Sequence, residues 1–389
     1  MFFVPTLIIL LVGDVRALPE TYLPTPELIQ FWGYPAETHH AVTKDGYILG
    51  LHRIPYGRNT TNSEKAAGKR PAILVQHALM SSSSDWVVNL PHQSLGFMLA
   101  DHGFDVWLGN VRGNTYSKKH TTLDPKHSNF WDFSFDEHAK YDFPAMINYV
   151  LNATGEQQLF YVGYSQGSMM AFAGLSENPE LQSKIKLFFG LAPVSRLRNV
   201  NLATRTLASW AARLRLMFKL FGIKQFYPSS KWTKVLQNTI CWWMPKFCKT
   251  VMNVITGRDR RYLNETRIPV YVAHTPAGTS TKNMMQYFQF VNSEFFRMFD
   301  YGEKINIEKY NSTVPPEYDL TKVRLPTVMV SGSYDTLSSP QDVKWTISQL
   351  PNLVQHFEIE GYNHLDFMWA TNAGPALNIK LIEIAKRFM

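Results

Sequence analysis

The stretch QQLFYVGYSQGSMMAFAGL, residues 157–175, runs as an apolar strand into a serine set between two glycines, then into a helical pattern. Gly163-Tyr164-Ser165-Gln166-Gly167 is a G-x-S-x-G motif, which chance alone would place in about one chain of this length in ten. Its setting gives it weight. A strand–serine–helix turn is tight, and glycines on either side remove side chains that would collide across it. The Ser165 hydroxyl is thereby raised above a sheet edge, with a helix N-terminus behind it.

Working outward, short apolar runs at 71–76 (PAILVQ), 104–109 (FDVWLG), 158–163 (QLFYVG) and 186–193 (KLFFGLAP) alternate with helical patterns. HHAVTKDGYILGLHRIP, residues 39–55, reads as two strands around a turn at Lys44-Asp45-Gly46. Strand–helix alternation resumes with LPTVMVSGS at 325–333, a helix beginning near Pro340, VQHFEIEG at 354–361 and a last helix from about Gly374. Such alternation predicts an α/β fold with a mainly parallel sheet covered on both faces. The expected division is a leader at 1–17, a first core part at 18–195, a mostly helical insert at 196–318 and a second core part at 319–389.

A serine hydroxyl is a poor nucleophile at neutral pH, so a base must take its proton and an acid must orient that base. On this architecture the order along the chain is serine, acid, histidine, each on a loop after a later strand. Asp335 follows the strand VMVSGS and precedes a helix opened by Ser339-Pro340. His364, in EGYNHLDF, follows the next strand. The oxyanion of acyl transfer needs two backbone N–H donors. Gln166, directly after the serine, supplies one, and Leu79 in VQHALMSSSSDW is the candidate for the other.

With 45% apolar residues the 389-residue chain can bury a sizeable core. It opens on MFFVPTLIILLVGDVRALPE, an apolar run ending in the small-x-small pattern Val15-Arg16-Ala17, which reads as a signal peptide. No stretch is long enough for a membrane span. Sequons at Asn59, Asn152, Asn264 and Asn311 fit a luminal route, with export or lysosomal delivery both open. The two cysteines, Cys241 and Cys248, either pair in that oxidising compartment, closing a short loop, or stay as buried thiols; their spacing matches no zinc pattern.

The net charge of +8 is unevenly spread, for no Asp or Glu occurs between Glu180 and Asp259. LASWAARLRLMFKLF, residues 207–221, is expected as one helix with Leu207, Trp210, Leu214, Met217, Phe218 and Phe221 on one face and Arg215 and Lys219 turned away. FYPSSKW and CWWMPKFC continue the mixture of aromatics and cations, as a surface meeting an anionic, apolar interface would. Nucleic-acid motifs are missing, as are a dinucleotide fingerprint, a P-loop and HExxH, so no cofactor or metal is expected.

The blocks DGYILGLHRIPYG, DWVVNLPHQSLGFMLADHGFDVWLGNVRGNTYSKKH, FWDFSFDEHAKYDFPA, VGYSQG, HTPAGTS and YNHLDFMWA, spread from about Thr25 to Ala370, make the chain resemble the acid lipase family of gastric and lysosomal lipases. The resemblance implies the α/β-hydrolase fold, with Ser165, Asp335 and His364 as triad and Leu79 and Gln166 as the oxyanion pair. It also implies a cap and lid in the insert over a deep apolar pocket, and a cap disulfide, there slightly wider in spacing, for Cys241 and Cys248. Two departures stand out: relatives usually carry glycine at the position of Ala78 and histidine at that of Tyr164.

The expected function is hydrolysis of neutral lipid esters, triacylglycerols or steryl esters, at an emulsion or membrane interface through an acyl-enzyme. A catalytically silent lipid-binding scaffold and an esterase for short acyl chains are the alternatives.

Overall fold

The computed structural model describes residues 18–63, 68–227, 240–241, 243–258, 262–293 and 295–389. The expected leader at 1–17, most of FYPSSKW and Trp242 lie outside them. A nine-stranded sheet runs β1-β2-β4-β3-β6-β7-β10-β11, with β5 added on β2. In chain order these are β1 Glu37–Val42, β2 Tyr47–Ile54, β3 Ala72–Gln76, β4 Asp105–Gly109, β5 Lys119–His120, β6 Leu159–Tyr164, β7 Ile185–Leu191, β10 Thr327–Gly332 and β11 Leu353–Ile359. The two-residue strands β8 Gln225–Phe226 and β9 Thr279–Ser280 pair separately. From β4 to β11 every pairing is parallel, whereas β1, β2 and β5 are antiparallel.

The central strands are continuous apolar runs because both faces are covered. In β6, Phe160 and Val162 enter one core cluster with Ile73, Val75, Val106 and Leu108. Leu159 and Tyr161 enter the other, with Leu74, Trp107 and Phe188. The edge strand β11 is half exposed, as its mixed sequence demands.

The helices used below are α1 Leu95–Asp101, α2 Phe143–Thr154, α3 Gln166–Glu177, α4 Leu202–Ser209, α5 Ala211–Leu220, α6 Pro245–Thr256, α7 Ile268–His274, α8 Thr281–Asn292 and α9 Pro340–Gln349. Helices α4 to α8 fall in the long excursion between β7 and β10. Cys241 and Cys248 are bonded at the start of α6 and pack with Ile268 and Val272 of α7.

One expectation is corrected here. Residues 207–221 form two helices, broken at Trp210, which has φ −89° and ψ 1°. Asn292 of α8 donates its side-chain amide to the Ala208 carbonyl at 3.0 Å, an oxygen that a continuous helix would use internally. The break lets buried Ala208 on α4 and half-buried Leu214 and Phe218 on α5 pack into one cluster with Met284, Met285 and Phe288 of α8. Leu207, Trp210, Met217 and Phe221, expected on the same face, are exposed.

Beneath the sheet's antiparallel corner lies a buried ion cluster. Arg112, 1% exposed, bonds Asp142 through Nη2 at 2.7 Å and Asp45 through Nη1 at 2.6 Å, with its guanidinium carbon 3.9 Å from the Tyr47 ring centre. It ties the β1–β2 turn to the segment leading into α2.

Candidate active site

Ser165 sits between β6 and α3 with φ 51° and ψ −111°, a left-handed backbone that serine rarely adopts. The surrounding packing holds it there. Its N–H donates to the Leu191 carbonyl at 2.9 Å, and its carbonyl accepts from the Ser168 and Met169 amides. A Cβ at Gly163 would come within 2.6 Å of the Gly167 backbone, and one at Gly167 would strike the Gln76 carbonyl. Both glycines are therefore required by close approach.

The three residues separated along the chain meet here. Ser165 Oγ is 2.9 Å from His364 Nε2, and His364 Nδ1 is 2.7 Å from Asp335 Oδ2. With Nδ1 protonated, His364 donates to Asp335 and Nε2 accepts from the serine hydroxyl. Asp335 Oδ1 accepts from the Leu337 and Ser338 amides at 2.8 and 2.7 Å, which fixes the carboxylate from behind. All three side chains are buried.

Two further contacts hold the histidine loop. The Tyr164 hydroxyl donates to the His364 carbonyl at 2.6 Å, and its ring lies 5.4 Å from the imidazole, tilted by 32°. The His364 N–H donates to the Thr256 carbonyl at 3.1 Å, at the last turn of α6. The first of these gives Tyr164 a task. Tyr164→Phe removes a buried hydroxyl and leaves that carbonyl unpaired, an expected loss of about 1–2 kcal/mol in stability. Slower labelling of Ser165 by a fluorophosphonate is expected too, read together with thermal denaturation.

The loop after β3 is braced by buried polar groups. His77 Nδ1 donates to the Ala78 carbonyl at 2.7 Å, and its Nε2 accepts from the Val111 amide at 3.2 Å. Full burial lowers the His77 pKa to about 4, so the ring is neutral. Asp85 accepts from the Ser81 hydroxyl and, at 3.4 Å, from the Ala78 amide; burial raises its pKa to about 7. The two act in opposite senses on the fold. The Asp85 contribution is present at low pH and fades as pH climbs through about 7, whereas that of His77 fades as pH falls from 6.5 towards about 4.

The Leu79 and Gln166 amides make no backbone hydrogen bond among the described residues. The Gln166 side chain is anchored by Asn283 and Tyr287 of α8 at 3.2 and 3.0 Å. Ala78 has no positive φ, so its methyl meets no backbone penalty, and it joins the apolar cluster under the loop. Of the sequons, Asn59, Asn152 and Asn311 are exposed, while Asn264 is half-buried and caps a short helix through Oδ1.

Above Ser165 opens a cavity of about 460 Å³ whose wall is almost entirely apolar. The core supplies Leu79, Tyr164 and Trp369; the excursion supplies Leu207, Phe226, Ile255, Met284 and Phe288. Among the described residues no lysine or arginine lines it. A hydroxyl, imidazole and carboxylate in line at the floor of an apolar chamber can perform acyl transfer on a substrate with a long hydrocarbon part.

Residues 71–221 match a family described as the alpha/beta hydrolase fold, and residues 25–90 one described as a partial alpha/beta-hydrolase lipase region. The lysosomal acid lipase/cholesteryl ester hydrolase of Macaca fascicularis is 43% identical, over 97% of this chain and 94% of its own. The gastric triacylglycerol lipase of Bos taurus is 42% identical, over 96% and 93%. Lipase lipl-1 of Caenorhabditis elegans is 43% identical, over 95% and 92%. Among solved structures, a bacterial membrane phospholipase A superposes with a TM-score of 0.54 at 12% identity, covering 98% of this chain and 96% of that one. That last likeness is one of fold.

Proposed function

The chain belongs to the acid lipase family of α/β-hydrolases, and from that premise we propose that it hydrolyses neutral lipid esters, triacylglycerols or steryl esters. The observation that carries the proposal is the 2.9 Å approach of Ser165 Oγ to His364 Nε2 at the floor of the apolar cavity. Ser165 attacks the ester carbonyl as His364 takes its proton, and Asp335 stabilises the imidazolium. The Leu79 and Gln166 amides hold the oxyanion. His364 then protonates the departing alcohol, and a water deprotonated by His364 releases the fatty acid from the acyl-enzyme.

We read the stretch 196–318 as a cap that meets the lipid surface. Leu220 and Phe221 are 73% and 75% exposed, and Trp243 and Phe247 on the α6 side are more than half exposed. Aromatic and aliphatic side chains in such numbers fit a lipid interface better than water. We read the chain as routed through the secretory pathway, in keeping with its disulfide, exposed sequons and relatives named as lysosomal and gastric lipases.

The test is a panel of emulsified triacylglycerol, emulsified cholesteryl ester and a soluble short-chain ester, at acidic and neutral pH. Hydrolysis of an emulsified ester, abolished by fluorophosphonate, is expected; activity confined to the soluble ester would reject the lipid substrate. Leu220→Ser with Phe221→Ser should lower turnover on the emulsion by about tenfold, roughly the cost of exposing one large apolar side chain. Turnover of the soluble ester should be unchanged.

A further inference from the structure

A second cavity, about 470 Å³, lies between α5, α8 and the core segment Ser128–Asp132. Its size falls in the range of roughly 300–1,000 Å³ typical of small-molecule sites. Four cations line it: Arg215, Lys219, Lys224 and Lys282. Only Lys282 has an acidic partner, Asp132 at 3.0 Å, and that carboxylate is itself largely exposed. No described carboxylate pairs with the other three. The floor is apolar, with Phe218, Met285 and Phe299.

Like charges lining one cavity repel, and a single bound anion relieves that repulsion. The shape and chemistry call for a charged head among the lysines and an apolar chain against the floor. The acid-free tract of the sequence thus presents Arg215, Lys219 and Lys224 at this cavity. Leu216 and Leu220 of the same helix are exposed beside them.

The position relative to Ser165 sharpens the assignment. Met284 of α8 lines the Ser165 cavity and its neighbour Met285 lines this one, so a single helix separates them. Among the described residues the Ser165 cavity has no lysine or arginine in its wall and does contain Asp85. A carboxylate formed there is poorly held. We propose that the cationic cavity binds a single-chain amphiphilic carboxylate, the class of product released at Ser165; the choice of a fatty acid over other amphiphilic anions rests on the lipase reading. The carboxylate is held by charge-assisted hydrogen bonds from Lys219, Lys224 and Arg215, and the alkyl chain lies on Phe218 and Met285.

The experiment titrates dodecanoate into the protein by calorimetry, with and without prior blocking of Ser165 by an alkyl fluorophosphonate. Blocked protein should bind one equivalent, and dodecanol should bind at least about tenfold more weakly, as should dodecanoate to Lys219→Glu/Lys224→Glu. That variant should hydrolyse a soluble short-chain ester normally, which also shows that it is folded; Lys219→Gln/Lys224→Gln should be intermediate. Equal affinity for dodecanol, no response to charge reversal, or no binding would overturn the proposal. A further arm sediments the protein with phosphatidylglycerol vesicles. If charge reversal abolishes vesicle binding but leaves dodecanoate affinity unchanged, the cations serve a membrane headgroup and the proposal fails. Failure of the lipase reading registers separately, as no incorporation of the fluorophosphonate, and the titration of unblocked protein stands without it.

Discussion

Ser165→Ala is expected to reduce ester hydrolysis by about 10⁶-fold, equivalent to about 8 kcal/mol of transition-state stabilisation. The alanine keeps the strained turn and its backbone bonds, because the Oγ bonds only His364 among the described residues. The thermal midpoint should therefore stay within about a degree of the parent. His364→Ala should cost a similar factor, and the double variant no more than either single one, because nucleophile and base act as a unit. Asp335→Asn should lose about 10⁴-fold by favouring the wrong imidazole tautomer. Steady-state kinetics on a soluble ester reads all four. Near-normal turnover in Ser165→Ala would remove the serine from the chemistry.

The second large effect falls on stability. Arg112→Ala should destabilise the fold by about 3–5 kcal/mol, as deleting one partner of a buried ion pair does. Asp142 is wholly buried and its carboxylate would lose both guanidinium contacts, while Asp45, in the β1–β2 turn, would lose its guanidinium partner. The Tyr47 ring would also lose the cation stacked on it. Arg112→Lys should recover little, since an ammonium cannot form the planar fork that reaches both acids. Denaturant unfolding followed by tryptophan fluorescence measures this. The damage should spread to the loop after β3, because the adjacent Val111 amide braces His77.

The strands and the meeting of Ser165, Asp335 and His364 were legible because each depends on local pattern. Buried parallel strands need uninterrupted apolar runs, and loops at their C-terminal ends carry the polar groups, so Asp335 and His364 could be read from their places after two strands. The hidden features depend on partners far along the chain. The break at Trp210 follows from the Asn292 amide taking a helix carbonyl, and no property of residues 207–221 announces it. Tyr164 stands beside the serine in the sequence, yet its hydroxyl meets a carbonyl 200 positions away. Nothing in the residues around Arg112 marks it as buried, because its two carboxylates come from the β1–β2 turn and from the segment before α2.

The bond from the His364 N–H to the Thr256 carbonyl has a mechanical consequence. Asn363 donates to the Gly257 carbonyl at 3.1 Å and Thr336 to the Ile255 carbonyl at 3.2 Å, so the end of α6 is fastened to both loops that carry His364 and Asp335. A swing of that helix would pull the imidazole out of line. Helix α5 buries no residue, and its packing runs through Leu214 and Phe218 to Met284, Met285 and Phe288 of α8 rather than to those loops. The chamber wall at α6 and the alignment of His364 are thus one mechanical unit, a doorpost rather than a door.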